Sequence, residues 1–151
     1  MISKKSEILG LTSLPGYEDI KDCHMFQFED ICNRFGQLVK EPWIPRTLSY
    51  NEDDNLVIHF GNGFNVVTNG SRAYIDFPDY SKVTGFSKLS EPGKELFIDI
   101  WRQFSCGWGI ANKARWIPKK VIEHRDHLEV HFSNKGKKGD WYRFFPDGTW
   151  S

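Results

Sequence analysis

Leu56-Val-Ile-His-Phe-Gly-Asn62 and Leu128-Glu-Val-His-Phe-Ser-Asn134 are the two stretches on which the fold turns. Each reads as a short strand, and each carries a histidine at the same place. In the second stretch Leu128, Val130 and Phe132 share one face, which leaves His127, Glu129 and His131 on the other. Three more pairs of blocks recur around these two, in the same order. Phe28-Glu-Asp-Ile-Cys-Asn-Arg-Phe35 resembles Phe97-Ile-Asp-Ile-Trp-Arg-Gln-Phe104, Trp43-Ile-Pro-Arg46 resembles Trp116-Ile-Pro-Lys119, and a Phe-Pro-Asp begins at Phe77 and at Phe145. The offsets are 69, 73, 72 and 68 residues, near enough to constant to predict an internal duplication.

The repeat predicts an α+β fold: an α-β-β-β(-β) unit used twice, each copy an antiparallel meander with one main helix. Pseudo-repeat 1 covers about residues 24–79 and pseudo-repeat 2 about 93–147, within a single domain of residues 1–151. Phe28, Ile31, Cys32, Phe35, Leu38 and Val39 fall at helical spacing. Their counterpart runs from about Ser90 to Phe104, with Ser90 as N-cap, acids in or near its first turn and Gly107 past its end. Strands are expected at Thr47–Tyr50, Leu56–Phe60, Phe64–Thr68 and Ala73–Phe77, then at Lys120–His124, Leu128–Ser133 and Trp141–Phe145. Asn69-Gly70 is the pattern of a type I′ hairpin, and Gly61-Asn-Gly63 reads as a turn rather than a phosphate loop because no helix follows it. Pro45 and Pro118 mark strand entries or edges, since proline cannot donate to a ladder. One such unit closes a core poorly. Two can pack their helices on one face or join their sheets edge to edge, leaving the opposite sheet face exposed.

Composition excludes several classes. With 39% hydrophobic, 26% charged and 15% aromatic residues, the chain is neither disordered nor membrane-spanning. No run approaches the roughly 18 apolar residues a span needs, and no apolar leader follows Met1. The three cysteines, Cys23, Cys32 and Cys106, are odd in number and form no C-x-x-C pair, which argues against a disulfide framework and a zinc site. A reducing, cytoplasmic location with buried or half-buried thiols is expected. No metal or cofactor motif occurs: there is no G-x-S-x-G, no H-E-x-x-H and no calcium loop in Asn51–Asn55.

The net charge is zero but divided. Residues 1–100 carry 10 basic against 15 acidic side chains, a balance of −5, and residues 101–151 carry 10 against 5, a balance of +5. Such a split steers a charged partner to one end. The expected function is therefore non-enzymatic protein binding, of the inhibitor or immunity-protein type that neutralises a partner such as a nuclease toxin. The candidate contacts are the acidic turn Glu52, Asp53 and Asp54 and the basic–aromatic set Lys137, Lys138, Trp141 and Arg143. Two alternatives use the same residues differently. A small metal-independent endoribonuclease would employ His59, His131 and Arg143 for acid–base work and phosphate contact. A single-stranded nucleic-acid binder would use the basic residues between 113 and 143 with their interleaved aromatics. Against these stand plainer readings: histidines on solvated strands, a lysine-protected edge, and helix-surface pairing of Asp30 with Arg34 and Asp99 with Arg102.

Overall fold

A computed structural model describes residues 3–38, 43–106, 117–132 and 141–151. The chain divides into two compact units, Met1–Pro78 and Asp79–Ser151. Helix and antiparallel sheet are both present, so the α+β class holds. The strands form two sheets, of four and of three, instead of one joined sheet.

The first unit opens with a short helix α1 (Lys4–Ile8), a 3-10 turn (Tyr17–Asp19) and the main helix α2 (Asp22–Gly36). The helix stops at Gly36, so Leu38 lies beyond it, and Val39 falls outside the described residues. Strands β1 (Pro45–Tyr50), β2 (Leu56–Phe60), β3 (Asn65–Thr68) and β4 (Ala73–Asp76) follow as a meander in sequence order. Phe28, Ile31 and Phe35 of α2 are buried, as the helical spacing requires. Phe35 packs 4.7 Å from Trp43 and 5.5 Å from Phe60 between ring centres. Ser3 and Ser6 tie α1 to α2 by donating to the buried Glu29 carboxylate, at 2.5 and 2.6 Å. Val57 and Val67 are also buried, so the face of the first sheet expected to be open is closed at its centre. The unbroken apolar run Leu56-Val57-Ile58 is the composition of a strand buried on both faces.

The turns show how locally such structure is decided. Asn69-Gly70 does not make a type I′ turn, since only Gly70 takes positive φ. The Asn69 side chain instead accepts hydrogen bonds from Ser71 N and Arg72 N at 2.9 and 2.8 Å, closing a wider loop. Asn51 does the same for the acidic turn, accepting from Asp53 N and Asn55 N.

The second unit has a 3-10 turn at Tyr80–Lys82, another at Phe86–Lys88, the main helix α3 (Glu91–Ser105), and strands β5 (Pro118–Glu123), β6 (Leu128–Phe132) and β7 (Trp141–Phe144). Ser90 caps α3 as expected, its hydroxyl accepting from Gly93 N at 3.1 Å. The core face of α3 packs on the sheet: Phe104 lies 5.3 Å from Phe132, and Phe97 6.1 Å from Phe144. Ile58, Phe60, Ile100, Trp101, Val130 and Phe132 are all buried, in agreement with the expected cores.

In each unit the backbone approaches a strand very closely ahead of the main helix. Gly16 (φ +95°) would place a Cβ 2.4 Å from Leu48 O, and Gly85 (φ +89°) would place one 2.3 Å from Val121 O. The adjoining hydrogen bonds, Leu48 N to Pro15 O and Val121 N to Thr84 O, are both 2.9 Å. Pro45 and Pro118 begin the edge strands β1 and β5, and each is followed by a register shift, before Thr47 and before Lys120.

Candidate functional site

Register sets the chemistry of the second sheet. Lys120, His131 and Trp141 stand side by side across β5, β6 and β7, and Ile122, Glu129 and Arg143 form the next row. His124 and His127 close the hairpin through His124 N to His127 O at 2.8 Å. Because Leu128, Val130 and Phe132 take the core face, all these residues fall on the other one.

Glu129 is the centre of this face. Its Oε1 lies 3.1 Å from His124 Nε2, and its Oε2 lies 2.5 Å from His131 Nε2. The hydrogen bond from His131, supported by that from His124, holds the Glu129 carboxyl below its ordinary range against a smaller opposing effect of desolvation. An ionised carboxylate only accepts, so both imidazoles donate Nε2–H to it. Each Nδ1 then faces away, and neither has a hydrogen-bond partner among the described residues. The ring planes are held as well. His131 stacks on Trp141 with centroids 6.2 Å apart, and His124 stacks on His127 at 4.7 Å. His127 is in turn fixed by Asp126 at 2.7 Å and approaches Phe145 at 5.9 Å.

Two cations border this centre. Lys120 and Arg143 are exposed and make no ion pair among the described residues. The Arg143 guanidinium lies 5.8 Å from the centre of the Phe145 ring, a cation–π geometry that leaves its edge open. Trp141 is 43% exposed, so a flat ring remains available beside His131.

His59, the residue matching His131 in the first unit, is differently placed. Ser49 Oγ lies 2.8 Å from its Nε2 and Asn65 Oδ1 lies 2.9 Å from its Nδ1. Both nitrogens are thus engaged by neighbouring strands, and the ring has no free lone pair to offer. In the acidic turn Glu52 and Asp53 are exposed, while Asp54 forms an ion pair with Lys21. Lys137 and Lys138 lie outside the described residues. Asp30 pairs with Arg34 through both carboxylate oxygens.

The thiols are split. Cys32 is buried, Cys106 is intermediate, and Cys23 is exposed, against the expectation that all would be covered. Burial, with the Glu29 charge, pushes the Cys32 thiol up to about 12. Among the described residues no group of side chains is arranged to hold a metal ion, and no helix is long and apolar enough to cross a membrane.

Sequence reading singled out His131, Trp141 and Arg143 but passed over Glu129 and His124 as chemistry. The available signal was the His124-Arg-Asp-His127 turn, whose ends a hairpin brings together. No known protein family, curated protein or solved structure matches the chain.

Proposed function

We propose that the open face of β5–β6–β7 binds single-stranded nucleic acid. The observation that carries this reading is the pair of exposed cations, Lys120 and Arg143, which make no ion pair among the described residues and are set in register beside the exposed Trp141. Phosphates need unpaired cations, and unstacked bases need an accessible aromatic ring. The matching positions of the first sheet carry Thr47 for Lys120, Val57 for Glu129 and Val67 for Arg143. There Val57 and Val67 are buried, so the exposed charge of this face distinguishes the second sheet from the first. The test is fluorescence anisotropy with labelled single-stranded RNA and DNA. Binding should weaken with salt and in the Lys120→Ala/Arg143→Ala double variant, and salt-independent or absent binding counts against the reading.

A second reading is capture of a basic protein partner by the first unit. It is favoured by Phe26 and Ile8, which are 79% and 77% exposed, and by the exposed carboxylates of Glu52 and Asp53. The expected sign is inhibition of a basic nuclease that Glu52→Lys and Asp53→Lys relieve. An unchanged nuclease rate in the presence of excess protein counts against it.

We also infer that both units descend from one duplicated helix-and-meander unit. Supporting this are Gly16 and Gly85 against Leu48 and Val121, main helices of 15 residues each, and the shared irregularity after Pro45 and Pro118. On this reading the copies begin near Gly16 and Gly85, upstream of the blocks at residues 24 and 93.

A further inference from the structure

We infer that nucleic-acid binding at this face is coupled to proton uptake by His124 and His131, so that the ligand is held more tightly as pH falls. The inference rests on the nucleic-acid reading above and adds its regulation. Glu129 prepares both imidazoles for a second proton. Each ring gives it Nε2–H, and neither Nδ1 has a hydrogen-bond partner among the described residues. A proton added at Nδ1 therefore breaks none of these bonds, and the imidazolium it makes stays against a carboxylate. Side-chain exposures of 41% for His124 and 40% for His131 leave both rings in contact with solvent. The two rings hold opposite oxygens of Glu129, and the coupling does not need them to converge. Each imidazolium is one more cation beside the phosphates.

The charged and titratable groups around the pair come from all three strands and the hairpin. They are Lys120 from β5, Arg125, Asp126 and His127 from the turn, Glu129 from β6 and Arg143 from β7. The carboxyls do not offset the change. Hydrogen bonds from His131 and His124 hold Glu129 below its ordinary range, and one from His127 holds Asp126 there. Both acids therefore stay ionised where imidazoles ordinarily change charge, between about pH 5 and 8.

The neighbouring cations supply the link to binding. Lys120 stands beside His131 in the register, and His127 is stacked on His124 with centroids 4.7 Å apart. Like charge at these positions opposes a second proton on either ring in the free protein. Bound phosphates relieve that repulsion, so each histidine keeps its proton to higher pH in the complex than alone. The added affinity is complete below the titration of the free protein and is lost as pH rises through that of the complex.

The experiment follows binding of the full chain to labelled oligouridylate by fluorescence anisotropy between about pH 5 and 8. Uracil takes up no proton in this interval, so the change belongs to the protein. Affinity should rise roughly 10- to 100-fold toward the acid end, about tenfold for each histidine whose titration moves by about one unit. The slope of log K against log salt should steepen by about 1.4, from two further cations. Calorimetry in buffers of different ionisation enthalpy should show proton uptake on binding, at most about two per chain, and needs no variant. The His124→Gln/His131→Gln double variant should lose the uptake and the acid-side gain. His59→Gln should keep both, since Ser49 and Asn65 engage both nitrogens of His59. Glu129→Gln should shift the gain to lower pH, because the imidazolium loses its anion. Binding that is independent of pH overturns the inference and leaves the binding reading standing. So does proton uptake that survives the double histidine variant. Absence of binding at every pH removes both.

Discussion

Gly85 lies so near Val121 that a Cβ built on the glycine would stand 2.3 Å from the carbonyl oxygen of Val121. That contact, with Val121 N donating to Thr84 O at 2.9 Å, ties the segment before α3 to the middle of β5. Gly85→Ala has both a left-handed φ and a carbonyl against it. The backbone strain alone should destabilise the fold by about 1–3 kcal/mol, and the clash should add to it. Gly16→Ala should behave similarly against Leu48. Denaturant midpoints check both, and a shift near zero at either position would show that the approach is not tight.

Phe35 and Phe104 end the buried faces of α2 and α3, and each meets several other rings. Truncation of either to Ala should cost roughly 3–5 kcal/mol. Urea unfolding measures this, and a cost below about 1 kcal/mol at both sites is incompatible with the helical faces described.

Glu123, the last residue of β5, accepts from both Ser90 N and Ser90 Oγ, at 2.9 and 2.6 Å. The hydrogen bond from the Ser90 hydroxyl, then that from its amide, holds the Glu123 carboxyl below its ordinary range. A lowered folded-state value means that the unfolded chain binds this proton first as pH falls. The stabilisation is therefore complete above the ordinary glutamate range and is lost as pH falls through the lowered value. Glu123→Gln should flatten that part of the acid limb of stability, measured as melting temperature against pH. Ser90→Ala should cost about 1 kcal/mol through the cap and should also return Glu123 toward its ordinary titration.

Cys32 and Cys23 should react very differently. A buried thiol raised to about 12 carries almost no thiolate at neutral pH. Iodoacetamide should label Cys23 in the native protein and reach Cys32 only after denaturation, as read by peptide mass spectrometry. Native labelling of Cys32 as fast as Cys23 would contradict its burial.

Nucleic-acid binding, if it uses Lys120 and Arg143 as direct phosphate contacts, carries a fixed salt signature. Each contact to a single strand contributes about 0.7 to the slope of log K against log salt. Removal of both cations should lower the slope by about 1.4. An unchanged slope places the phosphates elsewhere on the surface.

The sequence by itself determined the order of helix and strand and which strand residues face the core. Alternation puts Leu128, Val130 and Phe132 inward and Glu129 and His131 outward, and helical spacing buries Phe28, Ile31 and Phe35. These are local properties, set by the periods of the two backbones. The serine cap at Ser90 was legible for the same reason. Turn geometry was less so, since Asn69 used its side chain to close a wider loop than Asn-Gly announces. Tertiary structure alone decided the partners. Glu123 finds Ser90 across 33 residues of chain, and His124 reaches Glu129 only because β5 and β6 pair in one register. His59 and His131 share a sequence context, yet one is closed by Ser49 and Asn65 while the other gives its Nε2–H to Glu129 and has no second hydrogen-bond partner among the described residues. Cross-strand neighbours depend on how separate segments are aligned, and a one-residue slip would exchange every pair, so no local pattern can specify them.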